Sequence, residues 1–207
     1  MKIKEKTKSK GMMKFSFNLN KEYNQAFSYI KESEKFIYAA IILFFGFFLL
    51  GFFIHPPEIL SNQFLKFLAE LIEKTKNFNG YELMGYIFLN NFLSSLQGMF
   101  FGFFFGVYSF VAIVFNGYFV GFVSSLSVKS MGVLVLWRLL PHGIFELPAI
   151  FISFGLGLKF GTFIFKKKKF ESFSYYLFNN VRIFLLIILP LLIIAALIEG
   201  FLIAFFG

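Results

Sequence analysis

A run of 46 residues without any Asp, Glu, Lys or Arg, from Leu83 to Val128, constrains the fold more than any other feature of this sequence. As one α-helix the run would be roughly 70 Å long, at about 1.5 Å per residue. The hydrocarbon core of a bilayer is only about 30 Å thick. The run therefore has to cross the membrane, turn and cross it again, and we place the turn at Gly106–Ser109.

Further hydrophobic runs extend the same pattern through a chain that is 58% hydrophobic and contains 37 Phe residues. Each run has the length that a helix needs to span a bilayer. The sequence therefore predicts an all-α protein, a polytopic membrane helical bundle with about five transmembrane helices plus amphipathic interfacial helices. The predicted spans are residues 36–54, 84–106, 108–127, 140–165 and 183–206.

One region precedes the predicted spans, and a second lies between the first two spans. Residues 1–35 form a basic N-terminal segment that includes an amphipathic helix, and residues 36–207 form the transmembrane domain. Within that domain, residues 58–76 place apolar side chains at three- and four-residue spacing opposite polar ones. That pattern predicts a helix that lies on the outer membrane surface.

The distribution of basic residues predicts the orientation of the bundle. Nine of the twenty Lys and Arg residues precede Phe36, and Lys166–Lys169 with Arg182 fill the connection between the fourth and fifth spans. Four spans separate the two basic blocks, so both lie on one side, and Lys and Arg accumulate in cytoplasmic loops. We therefore expect a multi-pass protein of the cell membrane with a cytoplasmic N-terminus and an external C-terminus. The net charge of +9 then reflects contact with anionic lipid headgroups and requires no nucleic acid.

Catalytic and cofactor-binding motifs are not recognisable. The sequence has no His-Glu-x-x-His, no Gly-x-Ser-x-Gly and no Walker loop, and it has no cysteine. One histidine and two glutamates could bind zinc in principle, but their spacing matches no standard site. We therefore predict no enzyme activity, no metal site and no cofactor. The high content of Lys, Phe, Ile and Asn suggests a prokaryotic source.

Small residues recur at every fourth position in three consecutive predicted spans. Such stripes let the backbones of two membrane helices approach closely. In addition to glycines, these stripes contain Ser109, Ser125, Ala149 and Ser153. We predict helix packing as the role of Gly98, Gly102, Gly106, Gly117, Gly121, Gly143, Gly157 and Gly161.

Ionisable and amide side chains inside the spans are the candidates for a functional site, because charge at bilayer depth is costly. His142 and Glu146 are one helical turn apart in the outer third of the fourth span, near Arg138 at its edge. Glu199 lies about 25 Å beyond Arg182 along the last span. That distance places Glu199 in the outer third of the membrane, at the same depth as His142 and Glu146. The predicted polar intramembrane cluster consists of Asn90, Asn91, Asn116, Arg138, His142, Glu146 and Glu199.

Two roles for this cluster stay open at this point. Glu146 could hold one ring nitrogen of His142 and leave the other free for a proton, an ion or a substrate. Alternatively, the polar groups satisfy one another and the backbone groups freed near Pro148, and their role is structural.

The order of these residues resembles the stage II sporulation protein M family of integral membrane proteins over roughly residues 36–206. Pro-His-Gly-x-x-Glu-Leu at residues 141–147 is the most specific element of the resemblance. The others are Asn90-Asn91, Asn116-Gly117 with Gly121, Gly157-Leu158 with Gly161, and Ala195–Gly200. The resemblance implies a multi-span fold and importance for Asn90, Asn91, Asn116, His142, Gly143, Glu146 and Glu199.

In that family, the sporulation member belongs to a membrane complex with cell-wall hydrolases, in which it resembles a scaffold. Relatives occur in organisms that do not sporulate, so the sporulation role does not transfer. We therefore expect a non-enzymatic scaffold or complex subunit with partner proteins in the membrane. A carrier or channel for a small solute or ion is the alternative, and an intramembrane hydrolase ranks behind both. The small-residue stripes and the many aromatic side chains further predict a homo-oligomer, specifically a dimer.

Overall fold

The fold is a bundle of α-helices. The computed structural model describes the backbone of residues 18–206 and the side chains of residues 18–136 and 143–201. The described backbone contains no strand, which confirms the predicted all-α class. Its helices are α1 (Leu19–Glu32), α2 (Glu34–Phe53), α3 (Glu58–Thr75), α4 (Gly80–Phe100), α5 (Val107–Met131), α6 (Leu140–Gly161), α7 (Lys169–Ile183) and α8 (Leu189–Phe206).

Four segments of the described chain are long and apolar enough to cross a membrane. They are Glu34–Phe53, Val107–Met131, Gly143–Phe165 and Lys169–Phe201. Helix α4 has the length of a span, but its amide and hydroxyl side chains lower its hydropathy. It nevertheless packs within the bundle against α6 and α8. The predicted count of five spans is therefore approximate, with α4 as the polar member.

The start of α2 and the end of α6 lie at the same end of the bundle. The ring of Phe151 contacts that of Phe44 at 5.2 Å between centroids, and Gly155 lies against Ile37. Residue numbers therefore increase along α6 in the direction in which they decrease along α2, so the two helices are antiparallel. Residues 166–169 follow α6 after a short 3-10 helix at Thr162–Phe165, so we name this end of the bundle the Lys-rich end.

Helix α6 is the central helix. Its Leu156 and Phe160 belong to a buried cluster with side chains of α1, α4, α7 and α8. Its Phe151 and Phe154 belong to a second buried cluster with α2 and α5. Because α6 contacts both clusters, it holds the two halves of the bundle together.

The turn between α4 and α5 lies slightly earlier than the predicted Gly106–Ser109. A short 3-10 helix at Phe101–Phe103 is followed by positive φ angles at Phe105 (58°) and Gly106 (73°). Left-handed backbone ends a right-handed helix, and glycine adopts it without steric cost. Ser109 therefore lies inside α5, where its hydroxyl donates to the carbonyl of Gly98 at 2.6 Å.

The chain between the fourth and fifth predicted spans is helical rather than a simple connection. Helix α7 continues through a π-helical turn at Phe184–Ile188 into α8. Tyr176, Asn179 and Ile183 are buried on one face of α7, so the helix is held by tertiary contacts that hydropathy alone does not indicate. A π-turn is rare and often marks a functional position.

Helix α3 packs on the bundle as well as being amphipathic. Phe64 is 4% exposed and its ring meets the rings of Phe115, Tyr118, Phe119 and Phe122 on α5. The Lys74 ammonium lies 4.7 Å from the ring centroid of Tyr86 on α4. Helix α3 thus bridges α5 and α4, and its placement on the outer membrane surface stays a prediction.

Candidate functional site

The predicted packing glycines lie at close helix crossings, with one exception. A Cβ on Gly102 would lie 2.1 Å from the carbonyl oxygen of Gly157, and one on Gly121 would lie 2.1 Å from that of Phe48. Gly98, Gly106, Gly117 and Gly161 also lie against backbone or ring atoms of another helix. Gly143 differs, because a Cβ there would meet only Leu147, at 3.7 Å.

Three members of the predicted polar cluster line one small cavity where α4, α6 and α8 meet. Asn91 comes from α4, Glu146 from α6 and Glu199 from α8. The structure therefore places the two glutamates and this asparagine around one cavity. Ile87, Phe88, Leu192, Ala195 and Ala196 complete the walls.

The cavity is too small for a solute. Its volume is about 10 Å³, whereas one water molecule needs roughly 10–15 Å³. Asn91 is 9% exposed, and Glu146 and Glu199 are both half-buried. This arrangement can hold at most about one water among its polar groups, and it ties three helices together.

The other predicted members of the cluster do not line this cavity. Asn90 and Asn116 lie in a separate groove between α4 and α5. The side chains of Arg138 and His142 fall outside the described residues. The predicted contact between His142 and Glu146 therefore stays a prediction.

The groove between α4 and α5 is larger and open along its side. Its volume is about 480 Å³, and its polar lining combines Asn90, Ser94 and Gln97 of α4 with Tyr108 and Asn116 of α5. The Tyr108 hydroxyl donates to Gln97 Oε1 at 3.0 Å, and Asn116 Nδ2 donates to the carbonyl of Ala112 at 2.7 Å. These two hydrogen bonds restrict the orientation of three of the polar side chains, those of Gln97, Tyr108 and Asn116.

A buried cation at the Lys-rich end was not singled out by the sequence analysis. The Lys159 side chain is 5% exposed, and its Nζ donates to Glu32 Oε1 and to Ser33 Oγ, both at 2.9 Å. The same ammonium lies 3.9 Å from the ring centroid of Tyr29. Lys159 is therefore charge-paired, hydrogen-bonded and stacked on an aromatic face, which is how a buried ammonium is stabilised.

Further contacts fix α1 to α7 beside Lys159. Arg182 Nε donates to Glu22 Oε2 at 2.6 Å, and the Tyr175 hydroxyl donates to Glu32 Oε2 at 2.9 Å. Burial alone would raise the pKa of the Glu32 carboxyl, but the hydrogen bonds from Lys159 and Tyr175 and the nearby positive charges hold its pKa below the ordinary value. Burial, followed by the negative charge of Glu32, raises the pKa of the Tyr29 phenol.

The sequence did carry an indication of this cluster. Lys159 is one of two charged residues in an otherwise apolar span, and the other is Glu146. The rule that flags Glu146 as costly at bilayer depth applies equally to Lys159. Its partners come from a helix more than 120 positions away in the sequence, so no local pattern could identify them.

The apolar spans and the intramembrane polar groups define this chain as a polytopic helical membrane protein. A sequence profile described as Stage II sporulation protein M matches residues 39–202, which is most of the chain. The chain therefore belongs to the stage II sporulation protein M family, and the resemblance read from the sequence is confirmed. No match was found among curated proteins or among solved structures.

Proposed function

We propose that this chain is a non-enzymatic scaffold, or structural subunit, of a membrane complex. The observation that supports the proposal is the size of the cavity at Asn91, Glu146 and Glu199. A carrier needs a polar site that admits its solute and a path from that site to water. A cavity of about 10 Å³ between three helices has the character of a packing contact.

The open polar surface of the bundle also supports a scaffold. The α4/α5 groove presents amide and hydroxyl groups sideways, toward the space that lipid or another protein occupies. Membrane helices associate through polar and small side chains of this kind. A surface that offers hydrogen bonds to the side of the bundle suits assembly rather than transport along the membrane normal.

We further propose that the Lys-rich end faces the cytoplasm. The end of α6 and the start of α2 meet there, so Lys31 and Lys35 near the start of α2 lie at the same end of the bundle as Lys166–Lys169. Lys and Arg in short loops favour the cytoplasmic side, where anionic headgroups attract them. The free end of α8 then points away from the cytoplasm, because α8 runs antiparallel to α6.

Reconstitution of the purified chain into liposomes tests scaffold against carrier. We expect no solute or ion flux above that of empty liposomes, measured by osmotic swelling with a panel of small solutes and by pH- and cation-sensitive dyes. In parallel, the tagged chain at native expression level is solubilised in mild detergent, and its mass and composition are measured. We expect a particle that contains another membrane protein in fixed stoichiometry.

The variant Glu146→Gln makes the liposome result decisive. Flux that exceeds the empty control and falls in Glu146→Gln would establish a carrier and overturn the scaffold proposal. The variant Lys76→Gln, at an exposed position outside the cavity, serves as the matched control because it also removes a charge. A particle composed only of this chain would also count against a scaffold for other proteins.

A further inference from the structure

A polar seam runs along the surface of α4. We define the seam as Asn90, Ser94 and Gln97, which are four and three residues apart and therefore lie on one helix face. Asn90 and Gln97 are exposed at the surface of the bundle. Polar groups that face hydrocarbon are costly, so this face needs a partner in the membrane.

The hydrogen bonds already present leave a defined set of donors and acceptors. Tyr108 uses one lone pair of Gln97 Oε1, so both N–H groups of Gln97 and its second lone pair remain available in the groove. Within the described part of the chain, the Asn90 amide makes no side-chain hydrogen bond, although it can donate two and accept two. The seam therefore presents donors and acceptors together and carries no charge.

We propose that a second copy of this chain binds the seam, with α4 of one copy packed against α4 of the other. Two copies inserted in the same direction are related by a two-fold axis along the membrane normal, so residues at equal depth meet. Gln97 then faces Gln97 of the partner subunit, and Asn90 faces Asn90 of the partner subunit. A primary amide is its own complement, because each amide can donate to the oxygen of the other.

The surroundings of the seam fit a second bundle better than lipid. Leu89, Leu93, Val111 and Phe115 are exposed beside it and provide an apolar border. Ser94 lies between the two amides and is small enough for the helices to cross there closely. An acyl chain would leave the Asn90 amide and the N–H groups of Gln97 without side-chain hydrogen bonds, whereas an identical seam pairs both. A single polar seam within a helix crossing also fixes register. This inference does not depend on the scaffold proposal.

Disulfide crosslinking in native membranes tests the interface directly, because the chain has no cysteine of its own. We expect Ser94→Cys to form a covalent dimer with mild oxidant, at least about tenfold more than Ile42→Cys. Ile42, on α2, is 70% exposed and serves as the control for random collisions in the membrane. Equal crosslinking of both variants would overturn the proposal, as would an adduct of Ser94→Cys with a different protein in place of the dimer.

Co-expression of two differently tagged chains tests the symmetry. Asn90→Cys and Gln97→Cys should each crosslink with themselves but not with one another, because seven residues separate them by about 10 Å along the helix. A disulfide needs Cα atoms within about 7 Å. Efficient crosslinking between the two different variants would overturn the two-fold arrangement.

A variant without cysteine tests whether the amides drive association. The double variant Asn90→Leu, Gln97→Leu should weaken dimer formation in lipid nanodiscs by about tenfold or more, as expected for the loss of several interhelical hydrogen bonds. Its thermal unfolding, measured in detergent at a dilution at which both proteins are monomeric, should stay close to that of the unmodified chain, because the two amides are exposed in one copy. Should Ser94→Cys fail to fold, Leu93→Cys, which is 47% exposed, replaces it in the crosslinking experiment. A single-chain mass for the unmodified protein in nanodiscs would refute the proposal.

Discussion

Glycine residues of this bundle differ sharply in what surrounds them. At Gly102, a Cβ would lie 2.1 Å from the carbonyl oxygen of Gly157, whereas at Gly46 no atom lies within 4 Å. Gly102→Ala therefore has to push the 3-10 turn at Phe101–Phe103 away from α6, and overpacking of this kind costs about 1–3 kcal/mol. We expect a lower thermal unfolding temperature for Gly102→Ala in detergent and an unchanged or higher one for Gly46→Ala. Equal stability of the two variants would contradict the close contact between this turn and α6.

Substitutions of Glu146 separate its charge from its hydrogen bonding. Glu146→Gln keeps the shape of the side chain and part of its hydrogen-bonding capacity, so the bundle should keep its unfolding temperature within a few degrees. Glu146→Leu places an apolar side chain beside Asn91 and Glu199 in a cavity with room for about one water. Unsatisfied buried polar groups cost about 1–3 kcal/mol each, so we expect a marked loss of stability. The unfolding temperatures of the two variants are compared. Equal changes in both variants would contradict a stabilising polar contact among the three helices.

Depth along the helix axis could be predicted from the sequence at the residue scale, but direction around the axis could not. Counting residues places Asn90, Asn91, Glu146 and Glu199 near one level. Consecutive residues of a helix point about 100° apart. Of the two neighbouring amides, Asn91 therefore lines the cavity and Asn90 lines the α4/α5 groove. The packing of α4 against α6 and α8 determines which of the two amides points inward. The sequence around Asn90 and Asn91 does not indicate that packing.

At the scale of elements, the attachment of α1 depends on an asymmetric ion pair. The side chain of Lys159 is 5% exposed, while that of Glu32 is 49% exposed. Glu32→Ala leaves a buried ammonium without its carboxylate, which can cost up to about 3–5 kcal/mol. Lys159→Met instead leaves a carboxylate that water can reach, so its cost should be about 1 kcal/mol or less. We expect much faster proteolysis within α1 for Glu32→Ala than for Lys159→Met.

The double variant Glu32→Ala, Lys159→Met completes this experiment. It should recover most of the stability that Glu32→Ala loses, because no buried charge remains. A double variant as unstable as Glu32→Ala would show that the hydrogen bond from Tyr175 to Glu32, rather than the burial of Lys159, determines how α1 is held.

Attachment of α1 should also depend on pH. The pKa of the Glu32 carboxyl is held below its ordinary value of 4.5 by its hydrogen bonds from Lys159 and Tyr175 and by the nearby positive charges, against the opposing effect of burial. A lowered pKa means that the stabilisation is complete above the unfolded-state value and is lost as pH falls through the folded-state value. The hydrogen-exchange protection factors of α1, which correct for the intrinsic pH dependence of amide exchange, should be constant above pH 4.5 and should fall below it. Glu32→Gln should reduce that loss of protection, and an unchanged pH profile in this variant would exclude Glu32 as the cause.

Helices that are recognisable from their own composition could be predicted from the sequence, whereas elements defined by tertiary contacts or backbone geometry could not. Hydropathy alone identified the segments that became α2, α5 and α6, because long apolar helices need no partner to be recognised. Helix α7 was missed as a helix because its composition is polar, and its buried face, with Tyr176 and Ile183, forms through packing on other helices such as α1, α4 and α6. The α4–α5 turn was misplaced by a few residues, because Phe105 and Gly106 end it through backbone geometry rather than composition.

For the whole molecule, the proposed orientation predicts the side from which each end of the bundle can be labelled. Lys76, after α3, and Lys167, after α6, are exposed and lie on segments that we assign to opposite sides. A membrane-impermeant maleimide should label Lys76→Cys in intact cells and Lys167→Cys only in inverted vesicles. A reporter fused after Gly207 should likewise read as external. Labelling of both positions from the same side would refute the assigned topology.

The contact between α2 and α5 has a consequence for how the protein is made. Gly117 and Gly121 of α5 lie against the backbone of α2 at Phe44 and Phe48, so the two helices fit as one unit. Helix α2 is synthesised first and α5 only after α3 and α4, so α2 can enter the membrane before α5 is available. Membrane helices insert first and associate afterwards. The α2 surface must therefore be covered by lipid or by the insertion machinery until α5 arrives, which makes a nascent chain that stops before residue 107 the form most exposed to quality-control proteases.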